Sequence, residues 1–123
     1  WRLALAAGPP ILSLAGGRGM LDYAGALGVH LDQGGWVAWG AVPTSGPLGD
    51  GVDRLWRTLS ETWCQLVQRG CDGLRLRDQA LVTPECGLAT HDPVRAETIL
   101  AMTGELAERV RRQSFGVRLT IGA

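Results

Sequence analysis

The chain has 123 residues, of which 46% are hydrophobic and 20% are charged, values typical of one globular domain. Twelve arginines balance twelve acidic residues. The chain therefore has no excess of positive charge that would attract nucleic acid, and no long run of charged residues that would bind a membrane surface. No apolar stretch reaches the ~18 residues of a membrane span. The composition therefore predicts neither a nucleic-acid partner nor a membrane partner.

The three cysteines are odd in number and lack the spacing of a zinc finger or a disulfide framework. This usage fits a reducing compartment, so we expect a cytoplasmic protein. The chain begins at Trp1 rather than at a methionine. We interpret it as a fragment, a processed product or an excised part of something longer.

The first half of the chain predicts short buried strands. The run "ILSLA" follows a proline pair and precedes "GGRG", which indicates a strand near residues 10–15 and a turn. "MLDYAGAL" predicts a short helix. "GVHLD" at 28–32 and "GWVAWGAV", with its strand at 36–42, are brief apolar runs bounded by glycines and predict two further strands.

The second half predicts two long helices around another strand. Leu55, Leu59 and Leu66 belong to an apolar stripe with helical spacing over 52–69, which ends at Gly70. A strand is expected at 79–83, and Asp92 followed by proline predicts the start of a helix over 93–112. The closing "FGVRLTIGA" alternates Val117, Leu119 and Ile121 with polar residues, which predicts a half-exposed strand.

Short two-sided apolar strands that alternate with helices favour a parallel sheet, so the predicted fold class is α/β in one domain. We see no internal repeat and no low-complexity tract. The carboxyl ends of parallel strands meet at one edge of a sheet. Asp32, Ser45 and Cys86 follow or end predicted strands, so we expect them at that edge.

The stretch "TPECGLATHDPVRAETILAMTGELAERVR" resembles the end of the C-terminal barrel of cobalamin-independent methionine synthases. "GWVAWGAVPTSGP", "GVHLD" and "PPILSLAGG" are similar to the preceding strands of that family, so the resemblance covers residues 9–112. It implies a parallel-stranded partial (β/α)₈ barrel, about half of a TIM barrel. It also implies methyl transfer from a methyl-folate donor to homocysteine, with zinc activating the homocysteine thiol.

The family holds zinc with a His-x-Cys pair on one strand, a glutamate on the next and a cysteine near the end. By resemblance, Cys86 matches the terminal cysteine and Asp32 stands where the glutamate is expected. Ser13 and Ala15 occupy the His-x-Cys positions, so two ligands are missing. His30 lies on the same predicted strand face as Asp32 and could replace a missing nitrogen ligand.

The family also carries an aspartate and a histidine in the loop after the following strand, where this chain has Pro43 and Ser45. These residues cannot replace the family's acid chemistry. Thr44 and Ser45 are candidates for binding a substrate carboxylate, although "PTSGP" is equally suited to a plain loop.

Each candidate also has a structural interpretation. Cys86 can be a packed thiol, Asp32 a turn residue before "QGG", and His30 a core histidine with a satisfied ring. "AGGRG" at 15–19 can be a tight turn, or its backbone N–H groups can cradle the phosphate of a metabolite. The residues leave these alternatives open.

Three functions follow: a zinc- and homocysteine-binding methyltransferase domain, a non-catalytic barrel relative that acts in binding or assembly without metal, and an anion-binding protein. Half a barrel has open sheet edges. We therefore expect a homo-oligomer, or a partner segment of the parent chain, with Val117, Leu119 and Ile121 at the contact.

Overall fold

The structure is a computed structural model that describes residues 1–49 and 51–121, with side chains placed through Gln113. It contains three strands, five α-helices and a short 3₁₀ helix. The strands are β1 (Ile11–Ala15), β2 (Trp36–Val42) and β3 (Ala80–Pro84). The α-helices are α1 (Arg2–Ala6), α2 (Ala24–Asp32), α3 (Asp53–Gln68), α4 (Gly73–Asp78) and α5 (Pro93–Ile121), and the 3₁₀ helix is Arg18–Tyr23.

The strands form one parallel sheet in the order β1-β2-β3. Leu14 lies opposite Trp39, and Trp39 lies opposite Val82. The register between β2 and β3 shifts between Gly40 and Val42, which indicates a bulge or irregularity near the end of β2. The predicted α/β class with a parallel sheet is confirmed, as are the strands expected near 10–15, 36–42 and 79–83.

One face of the sheet is covered by the helices. Alternate strand residues on this face enter the main hydrophobic core, because successive side chains of a strand point to opposite faces. Those sheet residues are Leu12, Leu14, Val37 and Trp39, with Ala80 and Val82 packed at the margin. They meet Leu27 and Leu31 of α2, Leu59, Trp63 and Leu66 of α3, and Leu76 of α4.

Helix α3 shows how the sequence determines the packing. Leu59, Trp63 and Leu66 recur at the spacing of one helical face, and all three are buried. The Trp63 ring meets the Trp39 ring edge-to-face at 5.9 Å between centroids, an arrangement that aromatic quadrupoles favour. The prediction of a helix over 52–69 is confirmed.

A second, smaller core fixes α5 on the sheet. Ile99, Met102 and Leu106 of α5 surround Val42 at the end of β2. The helix begins at Pro93, and the Asp92 carboxylate accepts a hydrogen bond from the Arg95 backbone N–H at 3.0 Å. Asp92 therefore caps the helix as the sequence predicts.

The strand predicted at 28–32 is wrong, because these residues end helix α2. Leu27 and Leu31 are both fully buried, one helical turn apart, and His30 faces the same side. The stripe begins at Ala24, so "GVHLD" completes a helical pattern rather than forming a separate strand. Gly34, with φ of +86°, then reverses the chain into β2.

The predicted closing strand is also wrong, because α5 continues as helix through Ile121. The side chains of Val117, Leu119 and Ile121 lie outside the described part of the structure, so their expected role in assembly stays a prediction. Residues 122–123 lie outside the described backbone.

Candidate functional site

The carboxyl edge of the sheet brings the loops after β2 and β3 together. Val42 pairs with Pro84, and the Glu85 N–H donates to the Val42 carbonyl at 2.8 Å. Cys86 follows on one side of this contact, and the Thr44–Ser45 loop follows on the other. The structure therefore places three of the predicted site residues, Cys86, Thr44 and Ser45, at one edge.

Arg95 of α5 holds the loop after β2. One guanidinium nitrogen, Nη2, donates to the Thr44 carbonyl at 3.1 Å and to the Gly46 carbonyl at 2.7 Å. Thr44 is buried, whereas Ser45 and Cys86 are exposed. Among the predicted site residues, the side chains accessible to a ligand at this edge are therefore those of Ser45 and Cys86.

A cavity of about 210 Å³ opens at the same edge. Its floor includes Gly16 and Gly40 at the ends of β1 and β2, and its walls carry the side chains of Arg54 and Glu85. Gly40 is required by the close strand contact, since a Cβ there would lie 2.8 Å from the Leu14 carbonyl oxygen. The cavity presents a cation and an anion at the position where parallel α/β sheets bind ligands.

His30 lies at the opposite, amino-terminal edge of the sheet. Its Nε2 is 3.0 Å from the Trp36 carbonyl oxygen, and donation to that oxygen fixes the proton on Nε2. The ring also covers Gly35, where a Cβ would come within 2.3 Å of it. His30 is 5% exposed. These contacts support the interpretation of His30 as a core histidine with a satisfied ring.

Asp32 ends α2 at this amino-terminal edge and is exposed. Its carboxylate lies 3.5 Å from Nε of Arg75. Arg75 and Gln79 also donate to the Leu31 carbonyl, at 3.3 and 3.0 Å, and Gln79 donates to the Gly35 carbonyl at 2.6 Å. The turn that carries Asp32 is thus fixed by Arg75 of α4 and by Gln79, which links α4 to β3.

These positions do not bring the three predicted zinc ligands together. His30 and Asp32 precede β2, while Cys86 follows β3, and a strand as long as β2 separates the two edges by roughly 20 Å. Within the described ranges no group of three His, Cys, Asp or Glu side chains is placed to hold a metal ion. His30, Asp32 and Cys86 do not fit a common zinc site, which needs about four ligands on one ion.

The "AGGRG" segment forms a tight turn. The Gly16 N–H donates to the Gly40 carbonyl and the Gly17 N–H to the Ala15 carbonyl, each at 2.9 Å. Gly17 has φ of +106° and lies against the Trp39 ring. Two of the N–H groups that an anion would need are already bonded to carbonyls, so the geometry favours the turn over the phosphate cradle.

The cysteines differ in their surroundings. Cys64 and Cys86 are exposed, whereas Cys71 is buried and its thiol donates to the Ala24 carbonyl at 3.3 Å. Burial raises the pKa of the Cys71 thiol, and the negative charge of Asp32 raises it further. Cys71 is therefore a packing residue, and Cys86 is the accessible thiol at the carboxyl edge.

Sequence reasoning missed Arg54, Glu85 and Arg95. Glu85 could have been identified, because it adjoins Cys86 at a strand end. Arg54 and Arg95 lie on helices, and their position at the edge depends on how α3 and α5 pack. No local sequence signal distinguishes them from the other arginines.

No protein-family model, curated protein or solved structure matches this chain. In the described part of the chain, no helix is both long and apolar enough to cross a membrane.

Proposed function

We propose that this chain is a cytoplasmic relative of the cobalamin-independent methionine synthases, forming one sector of a (β/α)₈ barrel and contributing to a carboxyl-edge site for a homocysteine-like substrate. The observation that carries the proposal is that β2 and β3 end side by side, joined by the hydrogen bond from the Glu85 N–H to the Val42 carbonyl, so that the Thr44–Ser45 loop and Cys86 both follow the same edge. Barrel enzymes place their active sites at the carboxyl ends of their strands.

The arrangement of the sheet favours a sector of a (β/α)₈ barrel rather than a doubly wound sheet. Its strands are parallel and follow the order of the chain, as neighbouring barrel strands do. The strand residues in the main core belong to one face, and helices cover that face. A doubly wound sheet would carry helices on both faces.

The loss of the strand expected at 28–32 changes the expected correspondence with the family. Counting back from the cysteine strand, β3, makes β2 the strand before the substrate loop and β1 the counterpart of the glutamate strand. Ser13 and Ala15 then no longer stand at the His-x-Cys positions. β1 has no carboxylate, so Cys86 is the one family ligand that we assign to this chain.

The described residues support substrate binding better than metal chemistry. Zinc does not fit the predicted ligands, so we derive no step through it. Ser45 can donate its hydroxyl hydrogen to a substrate carboxylate, and Arg54 and Glu85 give the neighbouring cavity groups of both charges. Arg95 holds the loop that carries Ser45.

A second candidate is the non-catalytic relative that acts in binding or assembly without metal. The separation of His30 and Asp32 from Cys86 favours it. In that case the carboxyl edge keeps its structure but catalyses no reaction.

Metal analysis and homocysteine titration of the purified protein test these candidates. The proposal predicts that homocysteine binding falls in Ser45→Ala and Cys86→Ala and is unchanged in Asp32→Asn, the matched control at the other edge. It also predicts zinc binding that is weak or absent, with any weak binding lost in Cys86→Ala and kept in Asp32→Asn. The absence of homocysteine binding would leave the second candidate, and zinc loss in Asp32→Asn would overturn the assignment of the edge.

A further inference from the structure

A small cavity lies between helices α3 and α4, on the face of the sheet that the helices cover. Its volume is about 70 Å³. Helix α3 contributes Trp56, Trp63 and Cys64 to its wall, and α4 contributes Leu76 and Arg77. Among the described residues, none that lines this cavity also lines the cavity at the carboxyl edge. It is therefore a separate place where a ligand has room to bind.

Two indole rings form part of the cavity wall. Trp56 and Trp63 lie two turns apart on α3, and their rings meet edge-to-face, with 6.4 Å between centroids and 86° between planes. Trp63 is buried and also contacts Trp39 of the sheet. The Arg109 guanidinium lies 6.0 Å from the centre of the Trp56 ring. Both rings are therefore held in position without a ligand, which lowers the free-energy cost of binding a further ring.

The wall also carries a positive charge. Arg77 is the one charged side chain among the described residues that line the cavity, and it is 7% exposed. A guanidinium has five N–H donors, so Arg77 can bind the oxygens of a ligand in addition to its contacts within the chain. Hydrogen bonds from a charged donor are strong in apolar surroundings. The charge therefore favours an anionic ligand over a neutral or cationic one.

The Trp63 indole gives a second reason to expect a hydrogen-bond acceptor on the ligand. Its Nε1 is buried, and no acceptor within the described part of the chain bonds to it. A buried donor without an acceptor costs free energy, and a ligand oxygen beside this nitrogen removes that cost.

The size of the cavity and its opening limit the ligand to a small one. Cys64 lines the cavity and is exposed, so the cavity reaches solvent beside this thiol, at an opening that we call the mouth. The volume of about 70 Å³ exceeds what one water molecule needs, and it is roughly half that of an engineered cavity of about 150 Å³ that binds benzene. A single ring that enters in part from the mouth fits this space, whereas a fused ring system does not.

We propose that this cavity binds a small aromatic carboxylate with a single ring. The ring packs against Trp56 and Trp63, and the carboxylate accepts hydrogen bonds from the Arg77 guanidinium. The proposal goes beyond the proposed function and does not depend on it, because neither Ser45 nor Cys86 lines the cavity. It is compatible with a barrel sector, since helices form the outer layer of such a barrel.

Benzoate is the probe, and the indole N–H signals of the purified chain in NMR spectra give the first measurement. We expect a saturable shift of the Trp56 and Trp63 signals, with a Kd of about 1 mM or lower. Cyclohexanecarboxylate keeps the charge without the aromatic ring, and benzyl alcohol keeps the ring without the charge. Each should bind at least about 10-fold more weakly than benzoate, since it loses either the ring contacts or the charged hydrogen bonds.

Ser60→Leu fills the cavity from its wall. Ser60 lies on α3 between the two tryptophans and lines the cavity, so a leucine side chain there takes the space of the ring. The Kd for benzoate should rise at least about 10-fold. Gln65→Leu is the matched control, because Gln65 is exposed on the same helix and does not line the cavity, and we expect its Kd to be unchanged. Circular dichroism checks that both variants keep the fold.

Alkylation of the wild-type chain gives a test that needs no variant. Iodoacetamide reacts with exposed thiols, and Cys64 and Cys86 are both exposed. Benzoate at about ten times its Kd should slow the alkylation of Cys64 about 10-fold, because only about a tenth of the cavities stay empty. The alkylation of Cys86, the internal control at the carboxyl edge, should keep its rate.

Four results would each overturn the proposal. They are the absence of a saturable shift of the Trp63 signal, equal affinity for benzoate and either control ligand, an unchanged Kd in Ser60→Leu, and equal slowing of alkylation at Cys64 and Cys86. If Ser60→Leu does not fold, the control ligands and the alkylation of the wild-type chain decide.

Discussion

Replacing Arg95 with methionine tests whether this side chain holds the loop of the candidate site. The change keeps the length of the stem and removes the two hydrogen bonds to the Thr44 and Gly46 carbonyls. Hydrogen bonds from a charged donor contribute about 1.5–3 kcal/mol each, and an exposed one contributes much less. Only the bond to Thr44 is partly buried, so we expect a total loss of about 1.5–3 kcal/mol.

Urea unfolding followed by tryptophan fluorescence measures this loss, and hydrogen–deuterium exchange of residues 43–47 measures the release of the loop. Arg57→Met is the control, because Arg57 is an exposed arginine on α3, and we expect its effect to stay within about 0.5 kcal/mol. If Arg95→Met loses no more stability than Arg57→Met and leaves exchange at 43–47 unchanged, Arg95 does not hold the loop.

Two further predictions concern the turn after β1 and the buried thiol. Gly16→Ala and Gly17→Ala both place alanine at positive φ, but only Gly17→Ala brings a Cβ within 2.8 Å of the Trp39 ring. In urea unfolding, Gly17→Ala should therefore be less stable than Gly16→Ala by about 1–3 kcal/mol. Equal losses of stability in the two variants would contradict this. Since its pKa is raised in the folded protein, Cys71 contributes stability below the usual thiol pKa of about 8.5, which is lost as pH rises through the higher folded pKa. Cys71→Ser should remove this part of the alkaline decline in the free energy of unfolding, and an unchanged decline would show that other groups cause it.

The long helix α3 was predictable from its repeated apolar spacing, whereas the short segment 28–32 was not. The stripe of α3 repeats over four turns, so Leu59, Trp63 and Leu66 identify both the helix and its buried face. "GVHLD" is only five residues long, and its apolar residues alternate as in a strand. Its helical character depends on Ala24 and Leu27, which precede it.

The error at 28–32 carried over to the site. Asp32 and His30 were expected at a carboxyl strand end, and both lie at the amino-terminal edge because their segment is helical. Cys86 and Ser45 follow strands that were predicted correctly, so their shared edge could be predicted. The contact between Arg95 and Thr44 spans 51 residues, and only tertiary packing determines it.

Hydrogen–deuterium exchange of the wild-type chain with saturating homocysteine, in the presence and absence of zinc, locates the binding site along the chain. If the carboxyl edge is that site, exchange slows at 43–46 and 84–88, which follow β2 and β3, and does not change at 28–35. Slower exchange at 28–35, or no change at any residue, would contradict the claim that the carboxyl edge is the functional site.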